Sequence, residues 1–240
     1  TDNGNPKFDL ILQAFIWFPR VPPIQKCHLS DSSCLKTSAQ AALPMFTRGM
    51  PEIGAEVLDV MNVDHIKVDL AGLKLYVTDC KIKGMKNSQI VDLSVDMANQ
   101  VIHLVYDVEL LVKSHYNASG RLLILPISGD GEMTLKIKKL HTDMIISFDL
   151  SKSADEKDII SPKSFKYTSD FQENVNFNLT NLFNGNKVLS VPLLKFMNEN
   201  WKALTMEFGR SMLDKPHKKI YQSIKKYLSS QPMENIVEDS

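Results

Sequence analysis

The spacing of apolar side chains changes once along the chain, and that change most constrains the fold. From about residue 63 to 179 they recur at every second position. Ile66, Val68 and Leu70 alternate, then Leu73, Leu75 and Val77 in the opposite phase. Leu104, Tyr106, Val108, Leu110 and Val112 form a further run, and Leu140, Thr142, Met144, Ile146, Phe148 and Leu150 another. Phe165 and Tyr167, then Val175, Phe177 and Leu179, close the series. A period of two marks strands with one buried face. From 188 to 229 the period becomes three or four: Leu193, Met197, Trp201, Leu204, Phe208, Met212, Ile220, Ile224 and Leu228. That is one face of a helix, kinked at Pro216 and roughly 60 Å long at about 1.5 Å per residue.

Turn signals at 86–89, 97–100, 117–120, 128–131 and 153–158 join the strands as an antiparallel meander. The phase slip at Ala71-Gly72 predicts a bulge that bends a long strand. Long bulged strands coil, and a single long helix needs a surface for its stripe. The fold class is therefore α+β, a long C-terminal helix wrapped by a highly curved antiparallel β-sheet. An earlier helix starts at Ser30 or Asp31, carries Leu35, Ala39, Ala42, Leu43 and Phe46, kinks at Pro44 and ends at Gly49 and Pro51.

Cys27 and Cys34 are closely spaced without a Cys-x-x-Cys pattern or further ligands nearby. This predicts a local disulfide rather than zinc, hence an oxidising compartment. Cys80 is left as a buried free thiol. Asn117-Ala118-Ser119 and Asn178-Leu179-Thr180 are glycosylation triplets, which agree with secretion. No run reaches the ~18 apolar residues that span a bilayer. Residues 1–20 form an extension of unclear origin, 21–230 a single domain and 231–240 a polar tail.

Lys plus Arg and Asp plus Glu each number 28, so no net field favours nucleic acid. There is no metal-binding, phosphate-cradling or nucleophile-elbow pattern, so neither metal nor cofactor is implied. A lipid-ester hydrolase reading lacks a nucleophile–base pair. His103 and His141 lie within strands, where ordinary hydrogen-bonded histidines are the better reading than polar groups at a cavity mouth. The basic stretch at 215–226 reads first as a wet helix face and second as a membrane-docking surface.

The stretches "GMPEIGAEVLDVMNVDHI" (49–66), "GRLLILPISGDGEM" (120–133) and "LFNGNKVLSVPLLKFMNENW" (182–201), following the cysteine pair, resemble the insect takeout proteins of the takeout/juvenile-hormone-binding superfamily. The resemblance spans about residues 21–230. It implies a sheet and helix that enclose an apolar tunnel, and a secreted, monomeric, non-catalytic carrier of a terpenoid, quinone-like or fatty-acyl ligand. Juvenile-hormone binders typically carry a second disulfide, for which Cys80 has no partner here. The resemblance therefore points to the takeout branch. The alternatives are a membrane-surface lipid-transfer protein or a juvenile hormone binder. By their phase in the pattern, Phe46, Leu75, Val95, Tyr106, Leu125, Phe148 and Phe177 are expected to line the tunnel with Trp201, Leu204 and Phe208 of the helix.

Overall fold

The computed structural model describes Val21 and residues 24–238. The expectation for residues 1–20 falls outside them.

Two strands form the spine of the sheet. β4 (Val101–Leu122) and β5 (Leu125–Lys152) are 22 and 28 residues long and pair antiparallel along nearly their whole common length. Each carries two further strands end to end on its other edge. β2 (Leu73–Lys83) and β3 (Gln89–Asp96) pair successive halves of β4. β6 (Asp158–Phe171) and β7 (Val175–Leu179) do the same on β5. β1 (Met61–Leu70) extends the β2 edge. Register shifts between Thr78 and Lys81, Ile90 and Asp92, Val108 and Leu110, and Ser147 and Phe148 punctuate the ladders. Each adds local twist, so strands this long coil into a trough.

Helix α1 (Ser32–Arg48) is capped by Asp31, whose side chain accepts from the Cys34 amide, and ends at Gly49. It packs against β3. Gln40 reaches out of it as a clamp: its Nε2 donates to the Ser88 carbonyl, and the Ile90 amide donates to its Oε1. Cys27 and Cys34 are disulfide-bonded, and Cys80 is free and buried, as the spacing predicts.

The long helix is two helices. α2 (Lys187–Glu199) and α3 (Trp201–Ser230) meet at Asn200, whose φ of −108° and ψ of 26° leave the helical region. The side chains explain the break. Asn200 Nδ2 donates to the Phe196 carbonyl, which also accepts from the Asn200 amide, so side chain and backbone share one acceptor where the two helices meet. Asn198 meanwhile bonds strand β7 as a ladder partner would: its Oδ1 accepts from the Phe177 amide at 2.8 Å and its Nδ2 donates to the Phe177 carbonyl at 3.0 Å. α3 then runs on through Pro216 and packs against both β6 and β1, the outer strands of the sheet. One helix seated on both margins of a coiled sheet closes the trough over an apolar interior.

One expected bulge and two expected turns are corrected. Ala71 and Gly72 form no bulge; with φ of 50° and 85° they make the two-residue turn joining β1 to β2, with Leu70 facing Leu73. Residues 117–120 and 128–131 lie inside β4 and β5, which turn at Leu123-Ile124 instead. Their glycines serve close approach. A Cβ on Gly129 would sit 2.6 Å from the Tyr116 hydroxyl, and one on Gly131 2.6 Å from the Thr180 carbonyl oxygen. The segment after β7 can therefore lie directly on β5, held by Asn181 Nδ2 donating to the Asp130 carbonyl.

The segment expected as a polar tail is packed. Gln231 and Ile236 are buried, α4 (Met233–Ile236) is a short helix, and the Glu238 amide donates to the Cys27 carbonyl.

Candidate functional site: two abutting apolar chambers

The interior between sheet and helices is not filled. A chamber of about 100 Å³ lies between α3 and the middle of the sheet. Its wall includes Met61, Val108, Leu140, Phe177, Leu204 and Phe208. A second, of about 190 Å³, lies under α1 and is walled by Ala39, Phe46, Leu93, Val95, Ile146 and Ile224 among others. Met85, Tyr106 and Ile220 belong to both walls. The chambers therefore abut across a neck of three side chains, contributed by the β2–β3 connection, β4 and α3.

Packed cores leave few voids larger than a water molecule. An apolar cavity of about 150 Å³ stays dry and admits a benzene-sized guest. These walls offer a water few partners: Thr205, His217, Cys80 and Tyr106 in the first chamber, Thr47, Ser88, Tyr227 and Tyr106 in the second. Burial pushes the Cys80 thiol up to about 11 and the His217 imidazole down to about 4, so both are uncharged at neutral pH. The Tyr106 hydroxyl is likewise raised by burial. The arrangement suits a neutral, largely hydrocarbon guest and gives no ion a counter-charge.

Six of the ten residues expected to line the tunnel lie on these walls. Phe46 and Val95 line the second chamber, Phe177, Leu204 and Phe208 the first, and Tyr106 both. The other four sit elsewhere. Phe148 is fully packed in the core. Leu75, Leu125 and Trp201 are half-buried and pack against that core away from both chambers. Strand phase gives the inward face but not the position along the trough. β4 and β5 are so long that an inward residue can lie well beyond a chamber.

Sequence reasoning did not bring His217 to the first chamber. The nearest signal was Thr142, a lone hydroxyl inside an apolar alternating run. His103 and His141 instead face away from the interior and pair with Asp143 at 2.9 Å and Asp107 at 2.5 Å. Among the described residues no three His, Cys, Asp or Glu side chains converge as a metal site. No described helix is long and apolar enough to cross a membrane. The basic stretch is partly spent within the fold: Lys215 and Lys226 donate to the carbonyls of His65 and Gly54, and Lys219 pairs with Glu56.

The family model of haemolymph juvenile hormone binding protein matches residues 10–238. The chain belongs to that family. Its structure superposes on the crystal structure of Epiphyas postvittana Takeout 1 with a TM-score of 0.88 and 40% identity, covering 90% of this chain and all of that one. Among curated proteins it is similar to the circadian clock-controlled protein daywake of Drosophila melanogaster, 29% identical over 77% of this chain and 75% of that protein. Daywake of Drosophila yakuba is 28% identical over the same shares. This haemolymph juvenile hormone binding protein/takeout family consists of non-catalytic proteins that bind hydrophobic ligands. The takeout fold, a long antiparallel sheet packed on a long C-terminal helical segment, is the fold described above.

Proposed function

We propose that this protein is a secreted, monomeric carrier that shields one long hydrophobic ligand from water within the single domain described above. The ligand class is a terpenoid, a quinone-like lipid or a fatty-acyl chain. The observation that carries this reading is the pair of apolar chambers meeting at Met85, Tyr106 and Ile220. Two chambers joined at a neck suit an extended chain rather than a compact ring. Small shifts of the unbranched Met85 side chain would let a hydrocarbon thread from one to the other. Burial supplies the affinity, about 0.8 kcal/mol per CH₂ before the entropy of immobilisation is subtracted. The disulfide fits an oxidising compartment, and the family model's haemolymph description fits export.

Mass spectrometry of solvent extracts from the natively produced protein tests the reading, together with thermal shifts against terpenoids, quinones and fatty acids. A ligand of the folded state at 100 times its Kd adds about 2.7 kcal/mol of stability. Lipid-free extracts combined with no thermal shift across the panel would leave the chambers as packing defects and end the carrier reading.

A second reading, transfer at a lipid surface, is favoured by exposed apolar side chains on the two C-terminal helices. Val188, Leu189 and Val191 on the first turns of α2 are exposed, as is Met206 of α3. Co-sedimentation with anionic liposomes at low and high salt separates the two readings. A soluble carrier stays in the supernatant at both.

A further inference from the structure

Two polar side chains on the wall of the first chamber, Tyr106 and His217, are linked by a row of hydroxyls that runs behind that wall. Tyr106 of β4, Thr142 of β5 and Ser169 of β6 occupy the same register on three neighbouring strands. All three bear hydroxyls. The rows on either side are Leu104–Met144–Tyr167 and Val108–Leu140–Phe171, so this row is a stripe of hydroxyls within a largely apolar face of the sheet. Thr142 and Ser169 hydroxyl oxygens lie 2.9 Å apart, and Tyr106 is the register partner of Thr142 across the β4–β5 ladder. Above the stripe His217 of α3 places its Nε2 at 3.4 Å from both Thr142 and Ser169. The imidazole stacks on Tyr167, with centroids 4.0 Å apart.

The Leu213 carbonyl sets the tautomer of His217. His217 Nδ1 lies 2.8 Å from the Leu213 carbonyl oxygen, which can only accept, so Nδ1 carries the proton. The neutral ring then presents Nε2 as a bare acceptor. Tyr106 can donate to Thr142, Thr142 to Ser169, and one of the latter two to Nε2. The acceptor at the end of this relay is poorly served, because 3.4 Å is beyond the usual range of a good hydrogen bond. At the other end the Tyr106 oxygen is left with accepting capacity at the neck shared by both chambers. His217 Nε2 is thus served only at long range, and the Tyr106 oxygen receives no hydrogen bond when Tyr106 itself donates to Thr142.

We propose that the Tyr106–Thr142–Ser169 row and His217 form a polar station at the junction of the chambers, which selects a hydrocarbon ligand carrying a hydroxyl group. The ligand hydroxyl donates to His217 Nε2 or the Tyr106 oxygen, while its chain fills the apolar space on either side. This rests on the carrier reading and narrows its ligand class. Ethers, esters and quinones can only accept, and would have to reverse the relay to be satisfied. Buried polar groups left without partners are what make such discrimination large.

The test uses three probes that share one C20 isoprenoid chain: geranylgeraniol, its methyl ether and the corresponding hydrocarbon. Affinities are measured by displacement of a fluorescent fatty acid from wild type, His217→Phe and Thr142→Val. Phe retains the ring stacked on Tyr167, and Val retains the shape of Thr. The wild type is expected to bind the alcohol about tenfold more tightly than the ether. Both variants should lose that preference, so that alcohol and ether bind alike. Nitrogen NMR of His217 in the wild type gives a readout independent of any variant's folding. The Nε2 resonance should move toward the hydrogen-bonded range with the alcohol and not with the ether. If the ether and hydrocarbon bind as tightly as the alcohol, or Nε2 does not move, the station is refuted while the carrier reading stands. If none of the three displaces the fatty acid, the station is refuted, and the bound fatty acid itself upholds the carrier reading.

Discussion

The imidazole of His217 lies flat against the phenol ring of Tyr167, at 4.0 Å between centroids and 7° between planes. The stack buries a titratable ring among Thr142, Ser169, Tyr167 and the α3 backbone, with Asp214 the nearest charge. Burial dominates over the attraction of Asp214 and lowers the His217 pKa from 6.5 to about 4. Between these values the unfolded chain binds a proton that the folded protein refuses. Stability therefore rises with pH from about 4 to 6.5 and is level above. The full effect is about 3 kcal/mol. His115, on the exposed face, has its pKa raised by hydrogen bonds to Glu132 and Asp130 and so acts in the opposite sense, losing its contribution as pH rises through the raised value. A difference measurement isolates the buried ring. Urea unfolding of His217→Phe should show a flatter dependence between pH 4 and 6.5 than the wild type. Equal slopes would mean that the ring is protonated or exposed in solution.

Cys80 offers a chemical view of the first chamber. Its thiol lines that wall, and burial raises its pKa to about 11. At pH 8 only about one thiol in a thousand is then ionised, against roughly a quarter for a free cysteine of pKa ~8.5. A polar thiol reagent should label the native protein at least a hundredfold more slowly than the unfolded chain. A bound ligand should slow a small apolar reagent further. Rapid labelling, indifferent to added lipid, would place Cys80 outside any ligand-bearing space.

The disulfide joins more than its own loop. Cys27 hydrogen-bonds the C-terminal segment through its carbonyl and amide, to Glu238 and Ile236, and the chain then enters α1, the wall of the second chamber. Loop entropy alone assigns the bond about 2.5 kcal/mol. Cys34→Ser should cost about that in chemical denaturation. It should also raise hydrogen exchange both in α1 and at 231–238. Exchange rising only within residues 27–34 would show that the bond constrains nothing beyond its own loop.

Much of this architecture is legible in the periodicities. The inward alternation of β4 and β5, the capped start of α1 and the apolar stripe of α3 follow from spacing alone. What spacing could not supply was partner distance. Gly129 and Gly131 looked like turn residues because glycine permits turns, yet both serve a chain segment some fifty residues away that lies on their strand. Asn200 interrupted a flawless apolar stripe where its side chain, invisible to a hydropathy pattern, shares a helix carbonyl with the backbone. The chamber walls show the same limit. Tyr106 and Phe148 have the same inward sense in the pattern, but Tyr106 stands at a neck between two voids and Phe148 is fully packed. The polar station was harder still, since Thr142, Ser169 and His217 come from three separate elements.

The sharpest separation of carrier from filled core comes from adding atoms rather than removing them. Ala39 faces the second chamber from α1, a helix supported on one side by β3. In a tightly packed core, Ala39→Leu would overpack its surroundings and cost about 1–3 kcal/mol. Beside an empty chamber of about 190 Å³ the added carbons have room. They bury apolar surface worth about 0.8 kcal/mol per CH₂ group, and leucine propagates a helix nearly as well as alanine. The expected outcome is an unchanged or raised Tm without ligand, and at least a tenfold weaker affinity for a long-chain ligand that must share the chamber. Gly209→Ala is the matched control in the first chamber. Its Cβ would meet the Phe171 ring at 2.9 Å, so there the same kind of addition should destabilise. If Ala39→Leu destabilises as Gly209→Ala does and leaves ligand affinity untouched, the second chamber is not a binding space.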